Sequence, residues 1–307
     1  EKHGSGSLKS RRVPALVQLP GLLKRYLTCK WRDKGSLVIL LAQAPLIGLL
    51  IGWIFREGSL NPALFLLVFV SLWFGTNNSA KELVGERSIF RREKRSGLSA
   101  FGYLGSKLIV QATLTFVQCA LLIATSSVFI DFTFSFPVAL GTCWLTSLVG
   151  ISAGLCVSAW SKTEVTAIVA VPLILIPFIL FGGLLKPYDD MGGLSRFAGF
   201  FNPARWGYDA IVQIERDGQY GYTKSPKEMV NELRQALKSV EQGTPASSFE
   251  SEEQSTFLQP FYEEEDIRKE NQTFGYRDKR KASSFVMLML MSILTLAACL
   301  FKLRSAR

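Results

Sequence analysis

A dense group of charged side chains that can pair with one another or dock against a partner lies in a short segment between two apolar runs. Residues 86–97, ERSIFRREKRSG, hold seven charged side chains in twelve positions, and Glu82 precedes Glu86 by four residues. Side chains four apart share one face of a helix. The spacing therefore predicts a charged helix over residues 82–96 whose two carboxylates pair with Arg25. Four of the other charged side chains of this helix are expected to face the cytoplasm: Arg87, Arg91, Arg92 and Glu93.

Residue types that carry most enzyme chemistry are scarce in this chain. His3 is the only histidine, and it lies in a Gly/Ser-rich segment, residues 1–13, that is typical of a linker. The five cysteines form no CxxC pair, which argues against a disulfide framework or a zinc site. The sequence also lacks a GxxxxGK(S/T) phosphate-binding loop. We therefore predict no catalytic, cofactor or metal site within this chain.

Long uncharged stretches dominate the rest of the sequence. Hydrophobic residues make up 48% of the 307 positions and charged residues only 20%. A helix needs about 20 apolar residues to cross a bilayer, because lipid cannot hydrogen-bond an open backbone. Six runs meet or approach that length: residues 37–55, 60–76, 108–130, 138–160, 165–185 and 285–301. They predict an all-α membrane protein with six transmembrane helices, in a plasma or inner membrane.

The distribution of positive charge predicts the orientation of these spans. Residues 1–35 carry nine Lys and Arg, and residues 80–107 carry seven. Under the positive-inside rule both segments are cytoplasmic. Six spans then return the C-terminus to the cytoplasm as well. Because the positive charge is grouped beside apolar runs, we do not expect nucleic acid as a partner, despite a net charge of +10.

The segments outside the spans have their own predicted structures. Residues 14–34 mix leucines and cations at helical spacing, which predicts an amphipathic connecting helix that begins near Pro20 and lies at the membrane surface. Residues 186–284 are predicted to form a large external loop with a helical cap over 225–243, SPKEMVNELRQALKSVEQG. In chain order the parts are a linker (1–13), the connecting helix (14–34), five spans with the charged helix between them (35–185), the external loop (186–284) and the last span (285–303).

The spans also lack the side chains that ion-driven transport needs. Transporters driven by protons or sodium hold ionisable residues within their membrane segments. The six apolar runs contain none, and we place Lys107 and Glu164 at cytoplasmic ends of spans. Energy for any uphill transport must therefore enter from outside the membrane, through the charged helix of residues 82–96.

Three stretches carry a resemblance to a known family. They are residues 77–107, NNSAKELVGERSIFRREKRSGLSAFGYLGSK, residues 180–187, LFGGLLKP, and residues 200–210, FFNPARWGYDA. They resemble the first intracellular loop, the Gly-Leu-Leu apex and the Pro-Arg-Tyr-Gly element of type-2 ABC exporter permeases. The last likeness implies a short re-entrant segment of the external loop that dips back toward the membrane. The likeness is strongest to the G-subfamily, which includes the White-like half-transporters. Residues 19–32 resemble its connecting helix.

This resemblance implies roles for individual residues. The charged helix would be the coupling helix, which docks on an ABC nucleotide-binding domain that carries ATP and Mg²⁺ and is either fused upstream or a separate subunit. Two copies of the permease, as a homodimer or heterodimer, would enclose a cavity for a lipid, sterol or drug-like cargo. The matching positions are Glu82, Glu86, Arg87, Phe90, Arg91, Arg92 and Glu93 for coupling, Arg25 as their connecting-helix partner, Leu72, Phe74, Leu175 and Ile179 for the cavity, and Leu184 and Leu185 for the exit gate.

Plainer interpretations stay open. Ordinary positive-inside charge explains the Lys and Arg residues of the loop, although not its three glutamates at helical spacing. The cavity and gate residues are equally suited to helix packing or lipid contact. A non-transporting membrane anchor or scaffold for an attached cytoplasmic domain is the alternative function. Gly150 and Gly154 form a GxxxG pair, which predicts a close contact between the fourth span and another helix.

Overall fold

The computed structural model describes residues 14–58, 60–186, 191–220 and 281–305. Every regular element among these residues is a helix. In chain order the helices are α1 (Ala15–Arg32), α2 (Lys34–Ile54), α3 (Leu60–Ser79), α4 (Arg87–Arg95), α5 (Ala100–Ser126), α6 (Phe136–Trp160), α7 (Glu164–Leu180), α8 (Gly193–Phe200), α9 (Pro203–Tyr220) and α10 (Lys281–Ser305). The predicted linker, the predicted cap helix and most of the predicted external loop lie outside the described residues.

Five helices are long and apolar enough to cross a membrane: α2, α3, α5, α6 and α10. They confirm the prediction of a multi-pass, all-α membrane protein. The fifth span is shorter than predicted: α7 has 17 residues and ends at Leu180, whereas the apolar run predicted an end at Leu185. Gly182 and Gly183 follow it, and Gly183 has a φ of 94°, a left-handed conformation that ends helices.

Helix α5 extends further toward the N-terminus than its apolar run predicts. It begins at Ala100, where the Ser99 hydroxyl accepts the N–H of Gly102 at 3.5 Å. The apolar run starts only after Lys107, but Lys107 is 1% exposed and lies inside the helix. A cation can occupy such a position when carboxylates neutralise it. Lys107 therefore lies inside α5, about two turns from its first residue, because the helix begins before the apolar run.

Helices α3 and α6 form the centre of the bundle and pack closely through glycines. A methyl group on Gly150 would overlap the carbonyl oxygen of Leu72, and one on Gly154 would overlap the next turn of α3. The Ser79 hydroxyl of α3 donates to the Ile151 carbonyl oxygen of α6 at 3.0 Å. These contacts confirm the close approach predicted for the glycine pair and identify α3 as its partner.

Helix α9 packs inside the bundle, against α3, α6 and α10. All residues from 202 to 215 are buried. A methyl group on Gly207 would lie 2.6 Å from Val68 Cγ1, so only glycine permits this approach. Phe65 and Tyr208 pack edge to face with ring centroids 5.5 Å apart. The predicted re-entrant segment falls on this helix and the turn before it.

Helix α1 lies along α5 at one end of the bundle. It begins at Ala15 and not near Pro20 as predicted, because Pro20 gives up one backbone hydrogen bond without ending the helix. Gln18 ties α1 to the turn before α5: its Nε2 donates to Gly97 O at 3.1 Å, and its Oε1 accepts the Ser99 N–H at 2.9 Å. At this end of the bundle α1, α4 and the last turn of α10 meet, and we call it the α4 end. The opposite end holds the α5–α6 loop.

Candidate functional site

Lys107 lies at the centre of a buried ionic cluster at the α4 end. Its ammonium nitrogen is 2.7 Å from Glu86 Oε1 and 3.4 Å from Glu82 Oε2. The same nitrogen lies 3.7 Å from the centroid of the Tyr26 ring, within cation–π range. Only 2% of the Lys107 side chain is exposed, so its charge depends on these partners instead of water.

Glu82 joins the turn after α3 to two helices. Lys30 Nζ of α1 lies 2.5 Å from Glu82 Oε1, and Gln111 Nε2 of α5 donates to the same oxygen at 2.9 Å. Burial raises the pKa of Glu82, but the ammonium groups of Lys30 and Lys107 outweigh burial and hold this pKa below its ordinary value. Glu82 is therefore ionised at neutral pH.

Two tyrosines complete the cluster. Tyr26 OH accepts from Gln111 Nε2 at 3.2 Å, and burial raises the pKa of Tyr26, so the phenol stays protonated. Tyr103 OH donates to Glu86 Oε2 at 3.1 Å, and its ring stacks on Phe90 of α4 with centroids 4.6 Å apart. We call these residues the Lys107 cluster: Tyr26, Lys30, Glu82, Glu86, Tyr103, Lys107 and Gln111.

The prediction of a helix over residues 82–96 is wrong in its first part. Residues 80–86 form turns, and α4 begins at Arg87. The Ser158 hydroxyl of α6 accepts the N–H groups of Leu83 and Val84 at 2.9 and 3.0 Å. A side chain that binds two successive N–H groups competes with helical pairing of the backbone. The two glutamates still meet, because the turns bring both to the same ammonium group.

The predicted pairing of Arg25 with Glu82 and Glu86 is also wrong. Arg25 instead forms a two-pronged ion pair with Glu93 of α4, at 2.5 and 3.2 Å. Lys30 and Lys107 already neutralise the carboxylates that we assigned to Arg25. The hydrogen bond with Glu93 raises the pKa of Arg25. Arg25 is nevertheless a direct link between α1 and α4.

Further contacts fix one face of α4 to the bundle. Phe90 is 3% exposed and packs in the core, and Lys94 Nζ donates to the Leu303 and Arg304 carbonyl oxygens of α10 at 2.8 and 3.0 Å. We expected Arg87 to face the cytoplasm. Its guanidinium instead donates to three carbonyl oxygens at the end of α6, those of Ser158, Ala159 and Ser161. Carbonyls at a helix C-terminus lack partners within the helix, which explains why a cation lies there.

The other face of α4 is open. Of the seven residues predicted to couple the chain to an ATPase, only Arg91 and Arg92 are exposed. Ile89, which the sequence pattern did not single out, is 42% exposed although it is apolar. The exposed residues of this helix are Ser88, Ile89, Arg91, Arg92 and Arg95. Only the packed structure determines which side of so short a helix is free.

Lys107, the cation at the centre of the site, is not among the site residues predicted from the sequence. Lys107 follows Tyr103 by one helical turn, and Gln111 follows Lys107 by another, so all three share one face of α5. A polar stripe of this kind at the start of an apolar run is a usable signal, because each polar group in a span must find a partner.

The four residues predicted to line a substrate cavity differ in how deeply they are buried. Leu72, Phe74 and Leu175 are buried within the chain, with exposures of 0%, 2% and 6%. Ile179 is half-buried, and it lies near the end of α7 that approaches the predicted gate. Of the two gate residues, Leu184 is half-buried and Leu185 is 63% exposed. The cavity and gate roles stay predictions.

A second buried carboxylate lies toward the opposite end of the bundle, on α9. Glu215 is 3% exposed and accepts the backbone N–H groups of Thr133 and Phe134 at 2.9 and 3.0 Å. The Thr133 hydroxyl donates to the same carboxylate at 2.9 Å. Glu215 thereby fastens α9 to the α5–α6 loop. Across the described residues, no three His, Cys, Asp or Glu side chains are grouped closely enough to hold a metal ion.

Two comparisons with known proteins agree with this geometry. Residues 17–215, more than half of the chain, match the family model of the ABC-2 type transporter. An ABC transporter ATP-binding/permease protein of Mycobacterium tuberculosis is 30% identical over 155 residues, which cover 48% of this chain. Those residues are 18% of the relative's own length, so this chain corresponds to a small part of that protein. The residues that match the family model include α4 and the whole Lys107 cluster.

Proposed function

Because this chain belongs to the ABC-2 type transporter family, we propose that it is the membrane-spanning permease of an ATP-driven exporter. The ATP would be bound and hydrolysed on a nucleotide-binding domain outside these residues. The name of the mycobacterial relative, which combines an ATP-binding and a permease function, supports this division of labour.

The observation that carries the proposal is the two-sided environment of α4. One face is held to α1, α6 and α10 through Glu93, Arg87 and Lys94. The other face presents Ile89 between basic side chains, and it is open. A short helix fixed to the bundle on one side and exposed on the other is suited to receive a push from a separate domain. We therefore assign contact with the ATPase to Ile89, Arg91 and Arg92.

The Lys107 cluster is the proposed route by which this push reaches the spans. Displacement of α4 moves Glu86 and the ring of Phe90, which touch Lys107 and Tyr103 on α5. Lys107 contacts two carboxylates, so a shift of α4 can change the balance between them without leaving the ammonium group unpaired. Movement of α5 and α1 together would then open the cavity.

Besides the five long apolar helices, we take α7 and the apolar residues that follow it as a membrane span, the fifth in chain order, which makes six spans in all. We take the α4 end as cytoplasmic. Large apolar side chains are exposed on α2 and α7, among them Ile39 and Leu173, each 72% exposed. A bilayer or a second copy of the permease can cover these faces. The gate is assigned to Leu184 and Leu185.

We assign a hydrophobic or amphipathic cargo to this exporter. The side chains that face outward from the middle of the spans are largely aliphatic and aromatic, and Lys107 is held in ion pairs at one end. Apolar walls select a cargo by burying its surface and not by charge. Leu72, Phe74 and Leu175 can contribute to the wall only when α3 and α7 separate from their neighbours, whereas Ile179 already lies near the gate.

Charge reversal on the open face of α4 tests this proposal. In the full-length protein reconstituted in liposomes, we expect Arg92→Glu to reduce ATP hydrolysis and the translocation of a fluorescent short-chain phospholipid by at least about tenfold, because close charge pairs across an interface contribute about 1.5 kcal/mol or more. Arg32→Glu, which reverses an exposed charge at the end of α1, is the matched control. Normal folding with unchanged ATP hydrolysis and translocation in Arg92→Glu would favour the anchor function instead.

A further inference from the structure

A cationic cavity of about 320 Å³ lies between α4, the end of α6 and the last turn of α10. Four basic side chains line it: Arg87, Arg91, Lys162 and Lys302. Of the described residues that line the cavity, none is Asp or Glu. The rest of the lining is largely apolar and includes Phe90, Trp160 and Leu303.

These four cations differ from the other basic residues of the α4 end that are bound in ion pairs. Arg25, Lys30 and Lys107 each pair with a carboxylate. Within the described parts of the chain, no carboxylate forms an ion pair with any of the four cavity cations. Like charges gathered in one cavity repel each other, and an anion in the cavity would relieve that repulsion.

Arg87 supplies hydrogen-bond donors in a fixed position. Its three bonds to the end of α6 all come from one nitrogen, Nη2. No acceptor among the described residues is bonded to its Nη1 or Nε. Guanidinium groups held rigidly with free donors are suited to phosphate oxygens, which accept several hydrogen bonds at once.

The cavity lies where the apolar part of the bundle gives way to charge. Trp160 is the last residue of α6 and is 51% exposed, and Lys302 Nζ lies 5.9 Å from its ring centroid. Exposed tryptophan beside lysine is typical of the level of lipid headgroups. Phe301, next to Lys302, is 74% exposed, and Leu294, two turns away on α10, is 57% exposed. An apolar face therefore adjoins the cavity.

We propose that this cavity binds the phosphate headgroup of an anionic membrane lipid whose acyl chains lie along α10. Arg87, Lys162 and Lys302 neutralise the phosphate, and the exposed face of α10 receives the tails; Arg91, which also lines the cavity, is left to the ATPase contact. A lipid held here would touch α4, α6 and α10 at once and would stabilise the position of α4. This inference does not depend on which cargo the protein moves or on the ATPase.

The test compares lipid binding to the full-length protein in a neutral detergent. Titrations use dioctanoyl phosphatidylglycerol as the anionic lipid, dioctanoyl phosphatidylcholine as the zwitterionic lipid, and sodium phosphate as a headgroup without tails. The cavity variant is Lys162→Gln with Lys302→Gln. The control variant, Arg95→Gln with Arg304→Gln, removes the same charge at the same end from two exposed side chains that do not line the cavity.

We expect saturable binding of phosphatidylglycerol that the cavity variant weakens about tenfold or more and the control variant changes by less than about twofold, since each basic side chain near a lipid phosphate contributes several-fold to affinity. Phosphatidylcholine and sodium phosphate should bind more weakly than phosphatidylglycerol. Equal loss of affinity in both variants, or no saturable binding by the unmodified protein, would overturn the proposal. Sodium phosphate binding as tightly as the anionic lipid would show that a soluble phosphate compound is the ligand.

A second variant guards against misfolding. Lys162 is exposed and has no hydrogen-bond partner among the described residues, so Lys162→Glu should leave the unfolding temperature unchanged without lipid. It should still weaken phosphatidylglycerol binding by about tenfold, because it places a negative charge beside the phosphate. Unchanged binding in a normally folded Lys162→Glu protein would also refute the lipid site.

Discussion

Glu82 and Glu215 are both buried carboxylates, but they are neutralised in different ways at the two ends of the bundle. Glu82 faces two ammonium groups, those of Lys30 and Lys107, carried by two different helices. Glu215 faces two backbone N–H groups and one hydroxyl of a single loop. The first arrangement depends on long side chains, and the second on the backbone itself.

This difference suggests which end of the molecule can rearrange. A lysine that contacts two carboxylates can move toward one and away from the other while it stays paired, as the distances from Lys107 to Glu86 and Glu82, 2.7 and 3.4 Å, illustrate. Backbone donors cannot change their direction unless the loop itself refolds. We therefore interpret the Lys107 cluster as an adjustable junction and the Glu215 contacts as a fixed anchor for α9.

The largest effect is expected from Lys107→Met, which removes the central charge but keeps the length of the side chain. Glu82 would retain Lys30, whereas Glu86 would lose its cation. A fully buried charge without its partner costs about 3–5 kcal/mol, and we expect a loss near the lower end of this range, because 34% of the Glu86 side chain is exposed to water. Unfolding of the purified full-length protein in detergent, followed by intrinsic fluorescence, measures this loss. Lys24→Met, at an exposed position of α1, is the control. A similar loss of stability in both variants would show that the Lys107 cluster contributes no more to stability than an exposed lysine.

A smaller effect is expected from Glu215→Gln. The amide keeps one oxygen, but its NH₂ group cannot accept the second backbone N–H, which stays buried without an acceptor. An unsatisfied buried donor destabilises by about 1–3 kcal/mol. The same unfolding measurement applies, with Asp131→Asn in the exposed part of that loop as the control. If Glu215→Gln were neutral while α9 stayed protected from proteolysis, the carboxylate would not be the anchor.

The acid sensitivity of the junction gives a third test. The pKa of Glu82 is lowered in the folded protein, so its ionised form stabilises the fold above the ordinary glutamate pKa of about 4.3, and that contribution is lost as the pH falls through the lowered value. The unfolding temperature of the unmodified protein should therefore exceed that of Glu82→Gln at pH about 6, and the difference should shrink as the pH approaches about 3.5. A pH-independent difference would mean that Glu82 acts through its shape and not its charge.

The smallest effect on stability is expected at the ion pair between Arg25 and Glu93. The side chains are 47% and 27% exposed, so water screens their attraction. We expect Arg25→Gln to reduce the free energy of unfolding by less than about 1 kcal/mol. A double-mutant cycle with Glu93→Gln isolates the interaction energy of the pair. A coupling energy as large as that of Lys107 with Glu86 would show that the exposed pair stabilises the protein as much as the Lys107 cluster does.

Several elements could be predicted from residue patterns because each depends on local chemistry. The runs at 37–55 and 138–160 became α2 and α6, since a long charge-free helix has few alternatives to the bilayer. The pair Gly150 and Gly154 predicted a close helix contact, because only glycine allows backbones to approach so nearly. The predictions that were wrong concern which distant residue each group contacts. Arg25 was assigned to the wrong glutamates, and the start of α4 was displaced because a hydroxyl from distant Ser158 binds the preceding backbone.

By itself, the sequence determined that this protein spans a membrane in several helices and places a dense group of charges between two of its apolar runs, because hydropathy and charge add up along a continuous stretch of chain. The tertiary structure alone decided that Lys107, a residue at the border of an apolar run, became the centre of an ionic cluster. It also decided which face of α4 remained open. Those outcomes depend on contacts between carboxylates, rings and carbonyl groups of segments that are distant in the sequence. The spacing of residues along the chain does not predict such contacts.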